Sequence, residues 1–286
     1  MIQRRITLAI PTFNRLDLWR RQILWQSLLS QSCTEDLEVL ICDDGSTDDT
    51  VACLAHSLRA TPPPFRVRLF RTLAPKSLPT QASALPDNVL FKEASGDWIV
   101  HLDDDGWVHR DLVRWVRSHV PPAAPAIWWG RLVFCDPPTL LPYPGQRGLD
   151  PRIPRHRIPD QGVTPMRKDW AAEWGALWIT RMEIVRRIGG HEMENIEWRG
   201  GDSRFGARIR QVARCYFAAD AATTFWHVGI PWQRQQIEAG RLRDVVKLQR
   251  LPQYGTADPA QIVVNGGDAF WTSGLLDSMY EEIKLT

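Results

Sequence analysis

Short apolar stretches punctuate the first hundred residues in a regular order. Ile6, Leu8 and Ile10 share one face of a strand over Arg5–Ile10 that stops at Pro11-Thr12-Phe13-Asn14. Leu16, Trp19, Ile23, Leu24 and Leu28 then recur at helical spacing to about Gln31, with Asn14 placed as the N-cap. Leu37–Cys42 is continuously apolar, as in a strand covered on both faces, and it ends at Asp43-Asp44-Gly45-Ser46. Val51, Leu54, Ala55 and Leu58 stripe a helix over Thr47–Ala60, with Ser46 or Thr47 as cap and Asp48 and Asp49 at its positive end. After Pro62-Pro63-Pro64, Phe65, Val67 and Leu69 alternate with arginines in a third strand, and a helix over Asp87–Ser95 closes at Gly96. Trp98, Val100 and Leu102 form the next strand, which ends on Asp103-Asp104-Asp105. Strand and helix in strict alternation indicate a parallel α/β sheet, whose ligands sit outside the carboxyl ends of the strands. Both acidic clusters fall there.

The second half is less periodic. A helix over Asp111–His119 and a strand over Ala126–Phe134 precede the stretch 136–168, which holds eight prolines and six Arg or Lys and reads as a long loop. Ala172–Ile179 is strand-like, Thr180–Ile188 is a short helix closed by Gly189-Gly190, and Asp202 introduces a helix over Ser203–Ala213. Thr224-Phe225-Trp226-His227 follows a short strand. Two amphipathic helices are expected in the tail, one over Trp232–Arg250 and one using Leu276, Met279, Tyr280 and Ile283. The expected division is a domain over 1–227, in halves 1–111 and 112–227, and a helical extension over 228–286 packed on it.

Composition narrows the function more than the fold. At 286 residues, 44% hydrophobic and 24% charged, the chain suits one large globular domain or a domain with an appendage. Thirty-five Lys and Arg against 33 Asp and Glu give a net charge of +2, so nothing calls for nucleic acid. Five cysteines without a CxxC pair, no apolar signal core and no membrane-length apolar run fit a soluble cytoplasmic protein. A basic tail helix lying on a membrane, or meeting a second copy in a homodimer, is the secondary expectation.

Three adjacent carboxylates at a strand end repel one another, and a divalent cation held by hard oxygen ligands is the simplest relief. A solvated acidic turn is the alternative. Taken with the Gly200-Gly201-Asp202 helix start and His227, the two acidic strand ends resemble the family 2 glycosyltransferases of the GT-A fold. Ile10–Arg15 resembles that family's first strand end, Val39–Thr50 its second, Ala94–Asp105 its DxD strand, Gly175–Gly190 its acceptor-side segment and Gly201–Phe205 its catalytic carboxylate.

The resemblance implies a Rossmann-like, mostly parallel central sheet flanked by helices, with a nucleotide-sugar-binding half over 1–111 and an acceptor-binding half over 112–227, and inverting transfer from a nucleotide sugar, a UDP-sugar by preference, aided by Mn²⁺ or Mg²⁺. Asp44 would pair with a uracil imide, with Asp43 beside it and Pro11 and Phe13 lining the base and ribose pocket. Asn88, Asp103 and Asp104 complete the expected donor contacts, Asp103 meeting the ribose or a water on the metal. Asp105 and His227 would ligate the metal, and Asp202 would be the general base. Trp174, Trp178 and Trp198 form a candidate acceptor wall, with core packing the competing role. The acceptor implied is a hydroxyl of unspecified origin, on a glycan, lipid-linked sugar, natural product or protein. Asp87 and Leu90 stand where Arg and Gly are usual, and Gly106 replaces a common acidic residue. A nucleotidyltransferase would want a Gly-rich, lysine-bearing phosphate loop that Pro11-Thr12-Phe13-Asn14 lacks. A non-catalytic nucleotide-sugar-binding module would not need Asp202.

Overall fold

A computed structural model describes residues 5–73, 84–120, 125–135, 139–140, 163–165, 176–193, 201–218, 220–228 and 263–285, with backbone alone at 134, 163–165, 201–204 and 207. Strands β1 (Ile6–Thr12), β2 (Leu37–Asp43), β3 (Arg66–Thr72) and β4 (Trp98–Leu102) form the parallel centre of the sheet in the order β3-β2-β1-β4. Every residue of β2 and β4 is buried, which is why their sequences are apolar on both faces. Beyond β4 the path continues through β8 (Leu177–Arg181), β6 (Ala126–Cys135), β10 (Thr224–Val228) and β5 (Gly106–Val108). Strand β7 (Val163–Pro165) pairs with β9 (Arg214–Ala218), which pairs with β6. The result is the mixed α/β sheet expected, parallel at its centre and antiparallel where β8 meets β4 and β6.

Two apolar layers follow from strand alternation. Ile6, Leu8, Ile10, Val39, Ile41, Val100 and Leu102 face one side with α1 (Leu16–Arg20), α2 (Ile23–Leu29), α3 (Thr50–Ala60) and α5 (Leu112–His119). Ala9, Leu40, Cys42, Phe70 and Ile99 face the other with α4 (Ala84–Glu93), α6 (Met182–Arg187) and α7 (Gly201–Val212).

Several expected elements differ. The helix expected to run from Leu16 to Gln31 is broken into α1 and α2, because Gln22 sits at φ 52 in the left-handed region. Asn14 does not cap it; at φ 51 it turns away and its Oδ1 accepts the Thr47 N–H at 2.9 Å. Helix α3 begins at Thr50, and Asp48 Oδ1 rather than Ser46 or Thr47 takes the free Thr50 N–H at 3.0 Å. Within the Pro-rich stretch, Val163–Pro165 is a strand rather than loop.

The tail differs most. Leu276, Met279, Tyr280 and Ile283 do not form a helix: α8 (Asp268–Thr272) is followed by turns, and Tyr280–Ile283 is a strand, β11, antiparallel to the outer edge of β3. Arg68 on β3 pairs with Glu282 at 3.0 Å and with Glu93 at 2.6 Å, and Tyr280 hydrogen-bonds Glu93. The helix expected over Trp232–Arg250 lies outside the described residues. Among the described residues no helix is long and apolar enough to cross a membrane.

Candidate functional site

The ends of β1, β2, β4 and β10 bring the acidic clusters together. Thr12 at the end of β1 is the hub: its Oγ1 accepts the Trp19 indole N–H at 2.9 Å and donates to Asp104 Oδ2. Its carbonyl accepts the Asp44 N–H at 2.8 Å, tying the end of β2 to that of β1. The following loop, Phe13-Asn14-Arg15, is pinned to the β2–α3 turn through Asn14 N–H to Ser46 Oγ (2.8 Å) and Arg15 N–H to Thr50 Oγ1 (3.0 Å).

Asp43 is fully buried and spent on its own turn, accepting the Ser46 N–H at 2.9 Å and the Ser46 hydroxyl, with Arg71 Nε 3.8 Å away. Burial pushes its carboxyl above the usual range despite the Ser46 bonds. Asp44, also buried, accepts the Thr72 hydroxyl at 3.2 Å. Pro11 and Phe13 are half-buried beside these ends.

The acidic end of β4 divides its labour. Asp103 is half-exposed, and its N–H donates to Ala176 O at 3.0 Å. Both oxygens of buried Asp104 are engaged, Oδ2 by Thr12 and Oδ1 by Arg15 Nε at 3.3 Å. Burial raises its carboxyl pKa, Arg15 pulls it down and Asp105 adds to the rise. Asp105 Oδ2 meets His227 Nε2 at 3.2 Å and Arg15 Nη2 at 3.6 Å. Burial opposes ionisation of Asp105, but the His227 charge and hydrogen bond, then Arg15, outweigh it and hold the carboxyl below its usual range. Conversely, burial lowers the His227 pKa and Asp105 more than restores it, so the imidazole is raised.

His227 reaches Asp105 because β5 doubles back against β10, with Gly106 opposite His227. A Cβ on Gly106 would stand 2.3 Å from Trp226 O and 2.5 Å from Phe225 Cε1. This is why no acidic side chain follows Asp105 here.

Among the described residues no three His, Cys, Asp or Glu side chains form a ready-made metal site. Asp105 Oδ1 nevertheless is buried without a hydrogen-bond partner, a costly state for a carboxylate oxygen and the one observation that suits a cation. Asp105 and His227 therefore fit as two protein ligands, leaving the remaining positions to oxygens of a ligand or water.

Two expected residues fall elsewhere. Asn88 has no exposed surface and is not placed for a donor contact: its Nδ2 donates to His191 O and its Oδ1 accepts the His191 N–H, each at 2.9 Å. It thereby locks the Gly189-Gly190 turn, whose glycines have φ 78 and 68. Trp178, only 3% exposed, is core rather than acceptor wall, stacked on His101 at 5.0 Å and near Phe91 and Phe205. Asp202 is the second residue of α7, with its side chain outside the described atoms. Trp174 and Trp198 are outside the described residues.

The sequence reading missed Arg15 as a site residue, although it stands in the quoted Ile10–Arg15 segment. It also missed Asp87, which holds His101 Nε2 at 2.9 Å behind β4. A cleft of about 720 Å³ between Asp97, Arg181 and Asp268 lies at the amino end of β4, away from these carboxylates.

Residues 7–117 match glycosyl transferase family 2. An uncharacterized glycosyltransferase of Haemophilus influenzae is 29% identical over 132 residues, which cover 46% of this chain and 48% of that protein, so the chain aligns with about half the length of this relative. The fold is that of the GT-A glycosyltransferases. S. aureus TarS 1–349 in complex with UDP-GlcNAc superposes with TM-score 0.57 at 15% identity, covering 79% of this chain and 59% of that one. A mannosyltransferase of Pyrobaculum calidifontis in complex with GDP-Man and Mn²⁺ superposes with TM-score 0.55 at 16% identity, covering 97% and 70%.

Proposed function

We propose, from a chain whose residues 7–117 carry a glycosyl transferase family 2 domain, that the protein is a metal-dependent, inverting glycosyltransferase. It moves a sugar from a UDP-sugar to an acceptor hydroxyl by single displacement. The observation that carries this reading is the placement of Asp44 and Asp103 just past the carboxyl ends of β2 and β4, on either side of β1, with Asp105 paired to His227 at 3.2 Å, at the edge where α/β sheets bind ligands. The UDP-GlcNAc complex of the S. aureus relative supports a uracil base, and Mn²⁺ in the Pyrobaculum enzyme supports a cation.

Asp44 accepts a hydrogen bond from the uracil imide, while Asp43 holds the Ser46 turn that shapes this pocket. Pro11 and Phe13 flank base and ribose, and the carboxylate of Asp103 meets the ribose. Asp105 and His227 would hold Mn²⁺ or Mg²⁺, which when bound supplies the positive charge that stabilises the departing diphosphate. His227 would ligate as neutral imidazole, giving up the proton it shares with Asp105.

Asp202 takes the proton of the acceptor hydroxyl. As that O–H bond breaks, the acceptor oxygen bonds to the anomeric carbon and the bond from that carbon to the diphosphate oxygen breaks on the opposite face, inverting the centre. Position two of α7 favours the ionised carboxylate this step requires, because the helix N-terminus carries partial positive charge.

Thermal-shift titration with UDP-, GDP-, CDP- and dTDP-sugars, with and without Mn²⁺, tests donor and cation together, since a ligand of the native state raises the melting temperature. Asp202→Asn is expected to keep donor affinity and lose transfer by about 10²–10⁴-fold, the usual contribution of a general base. Transfer within about threefold of the parent, well short of that contribution, would remove Asp202 from the role and turn attention to Glu192, Glu194 and Glu197.

A further inference from the structure

We propose that Arg15 is a tethered cation that guards Asp104 and Asp105, so that a divalent metal binds together with the donor diphosphate and not ahead of it. The inference rests on the reading above that a cation and a nucleoside diphosphate share this site.

The geometry leaves a metal little room before the donor arrives. Arg15 Nε and Nη2 reach Asp104 Oδ1 at 3.3 Å and Asp105 Oδ2 at 3.6 Å, bridging both carboxylates with one guanidinium. Both oxygens of Asp104 are already engaged, because Thr12 takes Oδ2 and Thr12 is itself held by Trp19. Asp105 shares Oδ2 with His227 and keeps only buried Oδ1 free of hydrogen bonds. A divalent ion approaching that oxygen meets the Arg15 positive charge nearby, and a hard cation with two protein ligands must find most of its six or more positions elsewhere.

A diphosphate removes both obstacles. Its oxygens complete the metal's coordination, and they offer the guanidinium fork a stronger bidentate partner than a carboxylate it shares with His227. Arg15 can make the exchange because its side chain is 37% exposed while its backbone is fixed by Thr50 Oγ1 at 3.0 Å. The head group can swing while its anchor stays in place. Arg15 is thus a positioning residue that couples cation binding to donor binding.

The test is an electron paramagnetic resonance titration of Mn²⁺ into the full chain, alone and with saturating UDP, for the parent, Arg15→Gln and Arg15→Lys. The parent is expected to bind Mn²⁺ at least about tenfold more tightly with UDP than without, within the usual range of coupling between sites. Arg15→Gln should bind Mn²⁺ alone at least about tenfold more tightly than the parent, so that UDP adds less. Arg15→Lys, which keeps the charge but not the fork, should bind Mn²⁺ alone as weakly as the parent and show a smaller UDP-linked gain. Unchanged Mn²⁺ affinity in Arg15→Gln beside intact UDP-linked binding in the parent overturns this inference alone. No Mn²⁺ binding with UDP in any of the three overturns the metal-dependent reading and this inference with it.

Discussion

Asn88→Ala should destabilise the fold by about 2–4 kcal/mol and leave the intrinsic affinity for UDP unchanged. The side chain is wholly buried and makes two hydrogen bonds to one residue, accepting His191 N–H and donating to His191 O at 2.9 Å each. Alanine removes both. The His191 carbonyl keeps a second donor, Asn265 Nδ2 at 2.7 Å, so its loss is one ordinary hydrogen bond, about 0.5–1.5 kcal/mol. The His191 N–H loses its Asn88 acceptor, and a buried N–H left unsatisfied costs about 1–3 kcal/mol. Gly190 packs directly on this side chain, a Cβ there standing 2.3 Å from Asn88 Oδ1, so the truncation opens space against the Gly189-Gly190 turn. Urea denaturation followed by tryptophan fluorescence reads the stability change, and calorimetry with UDP reads the affinity. Asn88→Asp supplies the control: it keeps an acceptor for the N–H but sets a carboxylate oxygen against the His191 carbonyl, so it should recover partly as pH falls and the acid is protonated. A stability change under about 0.5 kcal/mol, less than one ordinary hydrogen bond, joined to loss of UDP binding would refute this account and return Asn88 to the donor.

Three further outcomes follow from packing and charge. Gly106→Ala places a Cβ against the Trp226 carbonyl and the Phe225 ring, so a loss of about 1–3 kcal/mol is expected, together with weaker Mn²⁺ binding as β10 and His227 shift. A melting temperature equal to the parent's would mean the strands part without cost. Arg68→Ala should cost about 1–3 kcal/mol, because Glu93 and Glu282 lose their shared cation at a site where Arg68 is only 19% exposed, and the double variant with Glu282→Gln should cost less than the two singles added. Strict additivity would deny the pairing. For Asp87, burial opposes ionisation but His101 and then His191 hold its carboxyl below the usual range, so its folded pKa lies under the unfolded value of about 3.9. Its contribution is present above that unfolded value and lost as pH falls through the folded one, so the stability gap between parent and Asp87→Asn should be flat from pH 6 to about 4 and close only below that; a gap that closes above pH 5 contradicts the pairing.

What the chain discloses on its own depends on whether a residue's partners are near in sequence. Helix α5 and strands β2 and β4 were legible because burial follows a local period. The break at Gln22, the three residues of β5 and the strand β11 are fixed by contacts to distant elements, and apolar spacing around Leu276–Ile283 suits a helix as well as a strand. The acidic strand ends were legible because a parallel sheet dictates where carboxyl ends lie. Asn88 was misplaced because its neighbours in sequence resemble a donor segment while its hydrogen bonds go to His191, 103 positions away. Arg15 was overlooked for the converse reason: its role exists only through distances to Asp104 and Asp105, about ninety positions on.

The pairing of β11 with β3 bears on how the molecule is assembled and how it can be cut. Arg68 and Glu282 are 214 positions apart, so closing this edge requires a contact of very long sequence separation. Such contacts pay loop-closure entropy before they return any stability, which makes them slow to form. The half of the sheet that holds Asp44 is therefore finished by residues from the far end of the chain. A fragment that keeps β3 but stops before Tyr280 would expose the unpaired N–H and C=O groups of an edge strand and leave Glu93 without Tyr280, a surface that invites pairing with another copy. The acidic half is thus a region of the molecule with its own chemistry but without its own closure, and domain dissection by sequence position would separate the site from the strand that seals it.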